Sequence, residues 1–480
     1  MKKSLGKNAF LNGFRNVLNL LFPLLTFPYV SKVLNVEGIG QYNFAQSTVS
    51  YFSLIAGLGI SSYAIREGAK YRDNKKKFNI FASEVLFCNV ISTIIAYFLL
   101  ALCMVFVNKL KAYTALIWVF SIQIAFTTLG IEWIYSIYEE YEYITIRSIV
   151  FKIISIALIF IFIRNSGDTI KYAAITVFAS VGSNILNLIH SKNYFEIEKI
   201  HIKNCVRHLK PILVIFASNI AIMIYVYSDT TMLGFMQTDY EVGIYAVSVK
   251  IYNIVKNLLS SVLIVSIPRL SMYYGSGRIE EFRKTAQKVY DSITALVLPA
   301  VIGLMSVSEQ VVLVISGEAY ISAKSSLNIL CVALLFCIYS WFFSQCILMP
   351  AKKEKTILIS TCISAIVNLG LNFLLIPIGK ENATAFTTLI AEFIMFFVCV
   401  IYGFKITKIE LLNRNMYGVL AGCVGIICVC KLILSFNIGE LAQLLCSVAI
   451  SGIVYGLILI LLHNDIAYTI LGKVCRRYEK

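Results

Sequence analysis

The chain has 480 residues, of which 59% are hydrophobic and 14% charged, and its mean hydropathy is +0.79. Soluble domains carry about 25% charged residues, so this composition excludes an ordinary soluble protein and places the chain in a lipid bilayer. The formal charge of +16 does not argue for a nucleic-acid partner, because the basic residues flank apolar runs, as in Lys75-Lys76-Lys77 and Lys352-Lys353-Glu354-Lys355, where topology and contact with anionic membrane lipid account for them.

Apolar runs of about 20 residues recur throughout, each long enough to cross roughly 30 Å of hydrocarbon as a helix. They predict an all-α polytopic membrane protein with about fourteen transmembrane helices, at 8–31, 41–62, 80–107, 114–136, 146–163, 170–190, 211–234, 243–267, 289–308, 325–348, 357–378, 383–403, 416–435 and 441–463. On this map about 31 of the 42 Lys and Arg fall in one set of loops and membrane edges, about 7 in the other and about 4 within spans. The bias predicts that both termini are cytoplasmic.

The first run, preceded by Lys2, Lys3 and Lys7, has the outline of a secretory leader, but Asn12, Arg15, Asn16 and Asn19 interrupt it and no small-residue cleavage site follows. It reads as a span whose polar residues, Asn8 included, share one arc at about 100° per residue. Pro23 and Pro28 are expected to kink it. Span two collects Asn43, Gln46, Ser47, Ser50 and Ser53 on one side. Spans three to six are more uniformly apolar, with Glu84, Glu132 and Lys152 near ends where snorkelling or a local ion pair suffices.

A polar connector at 191–210 separates the halves. Its His201, Cys205 and His208 are loosely metal-like in spacing but lack a fourth ligand, so no metal and no other cofactor is expected. Span seven carries Ser218, Tyr225 and Asp229 on one face, and span eight carries Lys250, Asn253, Lys256, Asn257 and Ser260. Residues 269–288 read as a loop with a short amphipathic helix. Spans nine to twelve return to apolar character except for Glu392, and the last two spans have no counterpart earlier in the chain. The 13 cysteines lie mostly in apolar spans, where Cys behaves as a small hydrophobe, so no disulfide framework is expected.

The chain repeats a phrase. Gly40-Gln41-Tyr42-Asn43-Phe44-Ala45 returns as Gly243-Ile244-Tyr245-Ala246-Val247-Ser248, each copy following an acidic residue, Glu37 or Glu241, at matching places in the two halves. Parallel internal repeats are a known carrier architecture. They predict an amino-terminal six-helix lobe at 1–190, the cytoplasmic connector at 191–210, a second six-helix lobe at 211–404, and two extra helices with a cytoplasmic tail at 405–480.

Spans one, two, seven and eight occupy equivalent positions in this scheme. Their polar faces must turn from lipid, since an intramembrane cation costs at least about 2.5 kcal/mol. They predict a water-filled cavity with Asn12, Arg15, Asn16, Asn19, Asn43, Gln46, Lys250, Asn253, Lys256 and Asn257 as substrate-facing groups. Arg15, Lys250 and Lys256 against Asp229 suit an anionic substrate such as a phosphate or diphosphate. Arg15 can instead snorkel and Lys250 can instead pair with Asp229; Glu392 and Asp229 are candidates to carry a coupling ion, and Glu392 can equally satisfy a neighbouring helix. The chain has no G-x-x-x-x-G-K-[ST] phosphate loop and no large external loop with paired acids, so neither ATP hydrolysis nor another enzymatic activity is expected.

Three stretches carry a family resemblance: Phe22-Pro23-Leu24-Leu25-Thr26-Phe27-Pro28-Tyr29 leading to Gly38-Ile39-Gly40-Gln41-Tyr42; Gly57-Leu58-Gly59-Ile60 followed by Arg66-Glu67; and Asp229-Thr230-Thr231-Met232-Leu233-Gly234 with Glu241-Val242-Gly243-Ile244-Tyr245. In their order and spacing, over roughly residues 1–410, the chain resembles the polysaccharide repeat-unit flippases. These are the O-antigen and capsule transporters of the multidrug/oligosaccharidyl-lipid/polysaccharide exporter superfamily. The resemblance implies two lobes rocking about an axis along the membrane normal in the bacterial cytoplasmic membrane. It also implies a polyprenyl-diphosphate-linked oligosaccharide as substrate, for O-antigen, capsule or exopolysaccharide assembly, and a polysaccharide polymerase complex as a further partner. A tail of some fifty carbons would lose on the order of 40 kcal/mol in water, at about 0.8 kcal/mol per CH₂, so it should stay in lipid while sugar and diphosphate use the cavity. Two other readings stand beside this one: a drug or metabolite antiporter of the same fold, and an integral-membrane polysaccharide polymerase.

Overall fold

The computed structural model describes the backbone of residues 5–465 and 467 and the side chains of residues 22–465 and 467. Among these residues there is no strand. The helices are α1 (Leu5–Gly57), α2 (Ile60–Gly68), α3 (Lys75–Phe106), α4 (Thr114–Leu129), α5 (Glu132–Ile137), α6 (Tyr141–Phe162), α7 (Thr169–Val181), α8 (Asn184–His190), α9 (Ile202–Met236), α10 (Asp239–Gly275), α11 (Ile279–Ser306), α12 (Ser308–Ser316), α13 (Ala323–Trp341), α14 (Glu354–Phe404), α15 (Arg414–Leu434) and α16 (Glu440–Leu461).

Twelve stretches of the described residues are long and apolar enough to cross a membrane. Two of them, of 50 and 51 residues, are interrupted by a non-helical residue. In α1 the backbone leaves the helical region at Asn35 (φ 60°, ψ 179°), and its Oδ1 accepts from the Gly38 N–H at 2.9 Å, which caps the arm that follows. The break falls in the segment expected between the first two spans, and Pro23 and Pro28 lie within the arm that precedes it. In α14 the break is at Lys380 (φ 51°), just after Pro377 and Gly379. Counting the arms of these two helices separately gives the fourteen crossings that the hydropathy predicts.

Packing divides the chain into residues 1–243 and 244–480. In the first unit, Tyr29 on one arm of α1 donates to the Ile163 carbonyl at the end of α6 (2.7 Å), and Tyr42 on the other donates to Thr176 of α7 (3.1 Å). Rings of Phe151 and Phe178 meet across α6 and α7, so these helices form a hairpin and α1 folds back along it. The apparently apolar α3 has an inverted pattern. Ile94, Phe98 and Phe106 face outward, whereas Asn89 and Ser92 donate to the Ala56 carbonyl (2.8 and 2.6 Å) and Thr93 meets Thr128 (2.6 Å). Small polar side chains hold membrane helices together in this way because lipid offers no competing partner. Only residues 194–201 of the expected connector are irregular; Ser191–Asn193 form a 3-10 turn and α9 takes up the rest from Ile202.

In the second unit the two arms of α14 lie side by side, since Thr387 bonds to both Asn368 and Asn372 and Thr361 reaches Met395. The final helices pack on α11: Tyr455 donates to the Ala295 carbonyl (2.7 Å), and Gly422 lies against the Tyr455 ring. The expected loop at 269–288 is instead the end of α10 and the start of α11, with only residues 276–278 between them.

Candidate functional site: a repeat seam and two buried charge clusters

The repeated phrase marks a close backbone contact. A Cβ added to Gly40 would stand 1.8 Å from the carbonyl oxygen of Asp239, and one added to Gly243 would stand 2.1 Å from the carbonyl oxygen of Val36. Each glycine thus meets the residue four places before the other glycine. Such reciprocity is the signature of two related segments crossing about a local twofold axis. The tyrosine two places on behaves alike in both copies, Tyr42 reaching Thr176 and Tyr245 reaching Thr388 (3.4 Å).

Side chains reinforce the seam. Tyr113 donates to the Asp239 carboxylate at 2.5 Å, and Lys109 donates to the carbonyls of Phe235 and Gln237 (3.1 and 2.7 Å), occupying orphan acceptors at the end of α9. Phe44 sits against Gly234, edge-on to both Tyr113 and Phe235. None of these partners is adjacent in sequence, and only the repeated glycines signalled them.

Of the predicted cavity residues, Asn12, Arg15, Asn16 and Asn19 have side chains outside the described residues. Asn43 and Gln46 are half-buried, and the Asn43 amide donates to the Ile39 carbonyl of its own helix (2.8 Å). The polar faces of span two and span seven do meet: Thr231 donates to Ser47 (3.1 Å) and the Tyr51 and Tyr227 rings lie 6.5 Å apart, with Asp229 buried on the same helix as Tyr227. On α10, Lys250 and Lys256 are half-buried while Asn253 and Asn257 are exposed.

Lys256 and Glu392 form a relation that the sequence did not disclose. The Lys256 ammonium lies 5.4 Å from the Tyr252 ring centroid, in the neighbourhood of the buried Cys337 and of Glu392. Glu392 is 3% exposed. A half-buried cation expected to face the substrate and a buried carboxylate expected to carry coupling therefore lie in one neighbourhood.

A second cluster ties α2, α3 and α9. Tyr63 Oη and His208 Nδ1 are 2.6 Å apart, His208 Nε2 and Glu84 are 2.9 Å apart, and Arg207 donates to the same carboxylate at 2.7 Å. Glu84 is thus anchored by an ion pair rather than snorkelling. With His208 held this way and the Cys205 thiol directed at the His201 carbonyl, the three metal-spaced residues do not converge. Arg147, buried beside Glu132 at 3.9 Å, is a comparable pairing on α6.

Residues 5–274 match a family described as "Polysaccharide biosynthesis protein". The chain belongs to this family. Two relatives, from Escherichia coli (strain K12) and Shigella dysenteriae, both bear the name "Putative O-antigen transporter". The first is 26% identical over 272 residues, 56% of this chain; the chain spans 66% of that relative's length. The second is 24% identical over 368 residues, covering 76% of this chain and 91% of the relative. Among solved structures, one titled "Lipid II flippase MurJ, inward closed conformation" superimposes with a TM-score of 0.76 at 17% identity, over 96% of this chain and 99% of the other. The family member described here is thus a multi-pass membrane protein with the fold of that flippase.

Proposed function

We propose that this chain is a flippase that moves a polyprenyl-diphosphate-linked oligosaccharide repeat unit across the bacterial cytoplasmic membrane by alternating access. It acts as a carrier rather than an enzyme. The observation that carries the reading is the family match over a chain whose spans hold Asp229, Lys250, Lys256 and Glu392 deep in apolar helices, where uncompensated charge is costly. Arg15, Lys250 and Lys256 serve the diphosphate. Asn12, Asn16, Asn19, Asn43, Gln46, Asn253 and Asn257 serve sugar hydroxyls, and Asp229 or Glu392 carries a coupling ion. The lobes are taken as 1–190 and 211–404, joined by 191–210 and followed by 405–480, with both termini in the cytoplasm. A polysaccharide polymerase complex consumes the product on the far side.

The test is the leaflet location of polyprenyl-linked oligosaccharide in cells depleted of the protein, read with an impermeant lectin or glycosidase on spheroplasts. Completed units trapped on the cytoplasmic leaflet support the flippase. Single units accumulating outside would replace it with a polymerase, and no accumulation anywhere would favour a small-molecule antiporter.

A further inference from the structure

The first unit contains a cavity of about 310 Å³ that belongs to none of the residues assigned above. It lies where three turns meet: the break of α1, the segment between α3 and α4, and the segment between α6 and α7. This is the end of the unit remote from the connector, because α3 begins beside it, where Asn79 accepts from the Glu196 N–H and Lys75 pairs with Glu196, and ends at Phe106. With the termini inside, this end faces outward.

The lining has a definite chemistry. Asn35, Glu37, Gln41, Ser166 and Thr169 present amides, a carboxylate and hydroxyls, while Ala115 and Leu116 supply an apolar strip. No lysine or arginine lines it among the described residues. A diphosphate brought beside Glu37 without a cation would meet repulsion and an uncompensated desolvation cost. A sugar ring has the complementary character, with hydroxyls around its edge and apolar C–H faces, and a pocket of this volume lies at the lower bound of small-ligand sites.

The walls are also fixed before any ligand arrives. Gly38 N–H is tied to Asn35, and Tyr113 to Asp239. Asp168 accepts from the Arg164 and Asn165 N–H groups (2.9 and 3.0 Å) and pairs with Lys171 at 2.7 Å. A rim held by its own hydrogen bonds loses little entropy on binding, which favours even a weak ligand.

We propose that this cavity is a binding subsite for an uncharged sugar residue of the glycan, on the outward end of the first unit. The assignment of the side, and of a glycan as the ligand, rests on the flippase reading.

The experiment uses full-length protein in lipid nanodiscs, since glycosidic detergents would occupy the site. Saturation-transfer NMR is recorded with methyl glycosides of glucose, galactose, mannose, rhamnose and N-acetylglucosamine. At least one glycoside is expected to receive saturation from the unmodified protein. Ala115→Trp, at an exposed position that fills the cavity without disturbing the core, and Glu37→Ala should each lower that transfer roughly tenfold. Circular dichroism should show unchanged helicity for both. No transfer from any glycoside, or transfer undiminished in both variants, overturns the proposal. The readout needs no lipid-linked substrate, so its failure leaves the leaflet assay to decide the flippase question alone. Glycoside binding with a negative leaflet assay would retain the subsite and remove the flippase.

Discussion

At the scale of single residues, the two seam glycines make the sharpest claim. Alanine at Gly40 would drive its methyl into the Asp239 backbone, and backbone, unlike a flexible side chain, cannot swing aside. Overpacking of this kind costs about 1–3 kcal/mol, so Gly40→Ala and Gly243→Ala should each destabilise the protein by about that amount or more while leaving insertion intact. Gly57→Ala, where nothing lies within 4 Å, is the matched control and should keep the parent's stability. Thermal unfolding of the purified proteins compares the three. The Glu84 cluster gives a second stability prediction. Glu84→Ala leaves a buried His208 facing an empty carboxylate site and should destabilise the protein by about 3–5 kcal/mol, whereas Glu84→Gln keeps an acceptor and should cost less. Thermal unfolding of purified protein would distinguish them, and equal losses would refute the acceptor role and leave the carboxylate's charge as the whole contribution.

At the scale of elements, α1 and α14 are each two crossings joined through one non-helical residue. Asn35 suits its role because its side chain caps the next arm, a local reason that can be read from sequence in hindsight. The α14 arms are held by polar contacts at depth. Thr387→Val removes the bonds to Asn368 and Asn372 and is expected to cost about 0.6–1.7 kcal/mol, the range for hydrogen bonds between membrane helices. A fall in the unfolding temperature without loss of insertion would bear this out. Helix α3 carries the complementary lesson: Asn89, Ser92 and Thr93 are too small and too few to alter its hydropathy, yet they fix its partners.

At the scale of the whole molecule, the proposed flippase function would make the Lys256 and Glu392 neighbourhood a link between substrate charge and coupling. In the proposed mechanism, a diphosphate that engages Lys256 would change the charge facing the buried Glu392. Lys256→Gln should therefore impair transport with insertion intact, and Glu392→Gln should reduce the dependence of transport on the ion gradient more than its basal rate. Flipping measured in proteoliposomes with and without a proton gradient tests both; normal transport by Lys256→Gln would take that residue out of the mechanism.

The sequence alone determined the membrane class, the fourteen crossings and the repeat, because each depends on local composition or on similarity of one segment to another. It also marked Gly40 and Gly243 without saying what they touch. Tertiary structure decided that the glycines meet each other's segments, that Lys256 shares a cluster with Glu392, and that His208 serves Glu84 and Tyr63. It alone gathered three turns into a sugar-sized cavity. The physical reason is the same in each case. Hydropathy is a property of one helix, whereas a contact or a cavity depends on the register and rotation with which separate helices pack.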